Sequence, residues 1–190
     1  MGTRHMVGVE ADKKIRIAEY GQCDGYPSGV GIYIYRFLNN QKNIDKLKQN
    51  LPYIIFSDDF ADYQNQSSDI LSIVANYNPF KPDPLKEFLG ITQDQEKPTI
   101  LCLKNDYDFA YDSLFCEWTY IINLDTNRLE IYEGFQKKPL QPTERFYKET
   151  PYDGYYGCKK ICELDIYNLP PTETLFIEEV NRNLDILEDE

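Results

Sequence analysis

The chain has 190 residues and a formal charge of −12, with 42% hydrophobic residues and 16 Tyr and 10 Phe against one Trp. That length suits one domain, expected over residues 1–190, because two halves would each be short of core. The charge disfavours direct contact with nucleic-acid phosphates and with anionic membranes, and no run approaches the roughly 20 apolar residues of a membrane span.

Residues 3–9, "TRHMVGV", and 14–20, "KIRIAEY", read as two strands joined by "EADK". Ile15 and Ile17 alternate with charged neighbours, the period-two pattern of a half-buried strand. The glycine-rich corner "GQCDGYPSGVG" follows. Beyond it Val30, Ile34, Phe37 and Leu38 fall at helical spacing, and Ile44, Leu47 and Leu51 continue in a second helix after a break at Asn39-Asn40. Pro52 ends that helix. In the middle of the chain "SSDILSIVANY" suggests a helix capped at Ser67 or Ser68, "NPFKPDP" a loop, and "LKEFLG" a short helix closed by Gly90. "KPTILCLK" reads as a buried strand. Residues 117–134 form the clearest hairpin, "EWTYIINL" and "RLEIYEGF" around "DTN". An irregular Pro- and Tyr-rich stretch leads to a strand in "KICELDIY". A last helix is capped by Thr172 and carries a stripe of Phe176, Val180, Leu184 and Leu187. Hairpins and helices without regular strand–helix alternation predict an α+β fold with a largely antiparallel sheet.

The corner is the first place to look for chemistry. Gly21 and Gly25 permit positive φ, Pro27 fixes the backbone, and Ser28 can cap the helix that follows. Gly29 and Gly31 would then sit in a first turn whose bare amides can hold an anion. The favoured reading, however, is a strand-to-helix corner in which glycine lets the two approach. Asp24 favours such a helix start but repels an anion, so a cationic or hydroxyl-bearing ligand suits Asp24, Gln22 and Tyr26 better. Nucleophilic catalysis has few players: one histidine, His5, which Cys23 or Cys116 would have to meet in space. Thr3 is a second route, as an N-terminal nucleophile, but it requires loss of Met1 and Gly2. Asp108, Asp112 and Glu117 flank the strongest hairpin and offer acid–base groups. The 5 cysteines are odd in number and sparse for a disulfide scaffold. Cys158 and Cys162 lack the usual zinc-knuckle spacing, and Cys102 and Cys116 would have to join them from elsewhere, so no metal or cofactor is expected. With no signal-peptide layout in "MGTRHMVGVEAD", a reducing cytoplasm is the expected setting.

"MGTRHMVGV" with "AEYGQCDGYPSGVG", and "YDSLFCEWTYIINLDTNRLEIYEGF", resemble an uncharacterised family seen in bacteria, phages and fungi. Its members carry an N-terminal Gly-Thr-Arg, a Tyr-Gly-Gln-Trp-Asp-Gly-Tyr-Pro stretch and a counterpart of the second segment. Cys23 stands where that family has Trp. The resemblance covers the N-terminal third and residues 107–135 and brings no activity with it. It does mark two polar-aromatic blocks whose Thr3, Arg4, Gln22, Asp24, Tyr26, Ser28, Asp112, Cys116, Glu117 and Trp118 would share a pocket if the two hairpins meet in one sheet.

The expectation is therefore a binding or interaction protein, in concrete form a phage or mobile-element protein that binds a host protein or sequesters a small ligand. Its partner would be a protein with a basic surface or a small polar ligand, met by Arg4, Gln22, Asp24, Tyr26, Ser28, Glu117 and Trp118. The rival is a hydrolase or transferase built on Thr3, Asp24, Cys116 or Glu117.

Overall fold

The computed structural model describes residues 2–59, 72–74 and 100–188. Strands β1 (His5–Ala11) and β2 (Lys14–Gly21) form an antiparallel hairpin. Asp12 and Lys13 turn it with φ of 55° and 58°, the left-handed pair that matches strand twist in a two-residue loop. A π-helical turn, Pro27–Gly31, runs into α1 (Ile32–Leu38), and α2 (Gln41–Asn50) follows. Asn40 separates them and caps α2, its side chain accepting from Lys42 N at 3.2 Å. Three short strands, β3 (Ile54–Phe56), β4 (Ser72–Val74) and β5 (Ile100–Leu103), pair in the order β3-β5-β4. The second hairpin is β6 (Trp118–Asn123) with β7 (Arg128–Glu133); β8 (Lys159–Asp165) and α3 (Glu173–Glu188) complete the chain.

The larger sheet has the order β2-β1-β6-β7-β8 and is antiparallel except where β1 runs parallel to β6. The fold is α+β with a mostly antiparallel sheet, as the pattern predicts. The smaller sheet departs from that pattern, since both of its pairs are parallel. The helix expected across "SSDILSIVANY" gives way to strand at Ser72–Val74, where β-branched Ile73 and Val74 pair with Leu101 and Cys102. The expected loop "NPFKPDP" and helix "LKEFLG" lie outside the described residues. Thr172 does cap α3, its hydroxyl accepting from Leu175 N at 3.2 Å.

Both faces of the larger sheet are covered. On one, Val7, Val9, Tyr120, Ile122, Leu129 and Ile131 pack against Ile34, Leu38, Ile44, Leu47, Phe176 and Val180 from the three helices. Each such fully buried side chain stabilises the fold by about 1.5–3 kcal/mol. On the other, Met6, Ala18, Ile121 and Tyr132 meet Ala110 from a 3-10 turn at Tyr107–Tyr111 and Leu140, Phe146 and Cys158 from irregular segments. Tyrosine serves this core as much as the surface: Tyr120, Tyr132 and Tyr35 are buried, while Tyr26, Tyr152 and Tyr167 are exposed. The two hairpin turns are tied together by Asp125, whose carboxylate accepts from Asp12 N and Lys13 N at 2.9 and 2.7 Å.

Candidate functional site at the motif end of the sheet

Because β1 and β6 are parallel neighbours, both polar-aromatic blocks arrive at one end of the larger sheet, His5 opposite Trp118. The backbone there is closely stitched. Arg4 O accepts from Glu117 N and Trp118 N at 3.1 and 3.3 Å, and Arg4 N donates to Glu117 Oε1 at 3.2 Å. On the other side Gly25 N donates to Thr3 O at 3.0 Å. The hydroxyl of buried Tyr120 then donates to Gly25 O at 2.8 Å.

His5 accounts for two of the corner's glycines. Its ring is buried, and a Cβ at Gly21 would fall 2.1 Å from His5 Nε2, one at Gly25 2.7 Å from His5 Cβ. Neither glycine takes a positive φ, so the expectation of left-handed freedom at Gly21 and Gly25 is corrected: they make room for the imidazole. The left-handed residue of the corner is Asp24, φ 56°. Burial lowers the His5 pKa to about 4, against weaker upward pulls from the Thr3 carbonyl and the Asp24 charge. The ring is therefore neutral at pH 7, and its Nδ1 has no hydrogen-bond partner among the described residues.

The helix start forms a tight corner and not an anion site, although the cap expected at Ser28 is corrected. Ser28 is not a cap; Tyr26 precedes the turn, and no side chain caps it. The amides are already used, Gly29 N and Gly31 N donating to Tyr26 O and Val30 N to Asp24 O at 2.9, 3.4 and 2.8 Å. A Cβ on Gly29 would meet Asp24 O at 2.1 Å, so that glycine too serves close approach. Asp24 and Ser28 are exposed, and Tyr26 OH donates to Asp24 Oδ1 at 3.1 Å.

Strand alternation divides the blocks between the two faces. His5 and Trp118 share the helix-covered face, with Trp118 stacked on Tyr120 at 6.4 Å between centroids. Arg4 and Glu117, each the residue just before its strand, turn to the opposite side, where Arg4 Nε lies 3.6 Å from Glu117 Oε1 and the guanidinium sits 4.8 Å from the Phe115 ring centre. Phe115 is 40% exposed. Gln22 lies on that side too, its side-chain oxygen accepting from Tyr20 OH. Cys23 abuts the N-terminal segment, 3.1 Å from a Cβ placed on Gly2. Asp112 O accepts from Phe115 N and Cys116 N, while its buried Oδ1 finds no partner among the described residues. Cys116 is fully buried, its Sγ 3.1 Å from Thr119 Oγ1. Burial above all, then a hydrogen bond with Cys158, raises its pKa well above the ordinary value. It is thus held as the thiol, the form that does not attack. Cys158 and Cys162 do not share a face: Cys158 belongs to the second core and Cys162 packs against the first.

Sequence reasoning missed a charged cluster further along the second face. Arg145 Nη1 meets Glu10 Oε2 at 2.6 Å, and its Nε and Nη2 grip Glu130 at 3.0 and 3.1 Å. Asn123 Nδ2 reaches both carboxylates, at 3.4 and 3.1 Å, and Tyr132 OH donates to Glu130 Oε2. Burial pushes the Glu130 carboxyl up, but the hydrogen bonds from Tyr132, Arg145 and Asn123 and the Arg145 charge outweigh it and leave the pKa below its ordinary value. A cleft of about 500 Å³ opens beside this cluster, lined by Arg145, Tyr132 and Lys160 among others. Each carboxylate is already answered by Arg145, so the cluster's evident work is to fasten residues 140–147 to the sheet. The available signal was the placement of Glu10 and Glu130 at alternate strand positions.

Comparison with protein-family models, curated proteins and solved structures found no match to this chain.

Proposed function

We propose that this chain acts by binding, and that it meets a protein partner at the motif end of the larger sheet. The observation that carries the reading is the Arg4–Phe115–Glu117 arrangement. A half-exposed aromatic ring is held under a guanidinium, which a carboxylate tethers in turn. Arginine and aromatic side chains are the residues that most often dominate interface energetics, and here they are ordered before any partner arrives. Half-exposed Tyr26, bonded to Asp24, extends the same end of the molecule on the helix side. The −12 charge favours a partner with a basic surface, through faster encounter.

The test uses Phe115→Ala, which removes exposed ring and leaves the Arg4 and Glu117 backbone bonds in place. Proteins captured by the wild type would be purified and their affinities for wild type and variants measured by calorimetry. A loss of about tenfold or more in affinity, as for a modest hot spot, supports the reading. Complexes indifferent to both Phe115→Ala and Tyr26→Ala overturn it.

A further inference from the structure

A second feature lies where β7 ends, and it is independent of Arg4 and Tyr26. Phe135 has φ 57° and is 51% exposed. For a bulky side chain the left-handed region is a strained conformation, and it persists only where the surroundings over-determine it. They do so here. Phe135 N donates to Ser113 O at 2.7 Å, Gly134 N to Glu117 O at 2.9 Å, and Tyr156 N to Gln136 O at 2.8 Å. Gln136 adds bonds from its backbone to Ser113 Oγ at 3.0 Å and from its side chain to Gly134 O at 2.7 Å. The fold thus fixes an apolar ring at the surface.

That ring borders a cleft of about 460 Å³ whose other walls include Leu140, Leu184 and three lysines, Lys137, Lys138 and Lys159. The volume falls within the range of small-molecule sites. Three ammonium groups around one cleft stand out in a chain with 20 basic and 32 acidic residues. Two glutamates also line it, Glu133 and Glu144. The Glu144 carboxylate accepts from Gln141 N at 2.5 Å and so is turned to its own loop. Lys137 lies 5.5 Å from the Tyr155 ring, and Glu133 stands directly opposite Lys159 across β7 and β8.

We propose that this cleft binds a small organic carboxylate, its apolar body against Phe135, Leu140 and Leu184 and its charge among the lysines. A neutral apolar molecule makes no use of the lysines' excess charge; an inorganic anion leaves the apolar wall unused. Binding is tested with octanoate, with octanol and inorganic phosphate as the two half-matched probes, by amide chemical-shift titration of the full chain. Saturable shifts confined to residues 133–141, 144, 159–161 and the α3 turn around 184 with octanoate, and at least about tenfold weaker binding of octanol and phosphate, are expected from loss of a charge-assisted contact or of the apolar one. Replacing Lys138 and Lys159 together by Ala should weaken octanoate by a similar factor. Phe135→Gly should weaken it without lowering the melting temperature, since glycine relieves the left-handed strain. Absence of saturable shifts, equal binding of octanol and octanoate, or undiminished affinity in both variants overturns the proposal. So does binding at these amides of a glutamate-rich peptide but not of octanoate.

Discussion

His5 is the chain's single histidine, and its burial makes a prediction about acid that can be followed at one atom. The folded protein holds its pKa at about 4 against 6.5 for a free imidazole. A depressed histidine pKa means that the unfolded chain binds the proton more readily. Stability from this group is therefore complete above pH 6.5 and falls as pH drops from 6.5 towards 4, with no further loss below. Linkage gives a loss of about 2 kcal/mol by pH 5 and about 3 kcal/mol below pH 4. Urea unfolding of the wild type and of His5→Gln, at pH 7.5 and pH 5, isolates the effect. The variant is expected to be less stable at pH 7.5, since it loses the fit between Gly21 and Gly25, but its stability should fall less on acidification, by about 2 kcal/mol. The pH stays above the sequence pI of about 4.6, where loss of net charge promotes association. The imidazole Cε1–H resonance, unambiguous with one histidine, gives the pKa directly. A midpoint near the ordinary 6.5, or equal acid slopes for the two proteins, refutes the reasoning.

Gly21→Ala should cost about 1–3 kcal/mol, the usual range for overpacking, because the new methyl would lie 2.1 Å from His5 Nε2. Adding His5→Ala should return part of that loss, so a double-mutant cycle on urea midpoints should show coupling; strict additivity counts against the cradle. Arg145→Met leaves Glu10 and Glu130 facing each other without a cation and should cost about 3–5 kcal/mol at pH 7. The deficit should shrink in acid, because a carboxylate with depressed pKa contributes its stability above the ordinary carboxylate range and loses it as pH falls through the folded value. A deficit that stays constant as pH falls from 7 through and below the ordinary carboxylate range would mean that the ion pairs are not its cause.

The elements whose signals are local were legible. Both hairpins follow from alternation and turn chemistry, and α3 from its stripe and Thr172. The parallel meeting of β1 with β6 was not, since it joins segments more than a hundred positions apart and no local pattern encodes it. That pairing decides which residues share a face, and it places Arg4 and Glu117 together on the side away from Trp118. The same limit hid Arg145: a Glu alternating with Leu and Ile reads as facing solvent, yet the second face of this sheet is roofed by irregular chain. Glycine misled in a different way. Composition shows that Gly21, Gly25 and Gly29 avoid a Cβ, but only coordinates distinguish a need for backbone freedom from a need for space. The need here is space.

The two outer strands have a consequence for how any partner can attach. Along β2, Asp106 N donates to Ala18 O at 3.0 Å and Tyr20 N to Asp106 Oδ2 at 3.3 Å, while the Arg16 side chain bonds Leu51 O at 3.0 Å. Along β8 a register break opposite Ile131 and Tyr132 interrupts the ladder, and Lys160 and Glu163 form an ion pair at 2.8 Å on the exposed side. Covered backbone on one border, and charge with a bulge on the other, are the devices by which sheets refuse an added strand. Recognition by extending the sheet, common among peptide-binding domains, would have to displace Asp106 at one border or bury charge at the other. The same borders protect the larger sheet against stacking edge to edge with that of another copy.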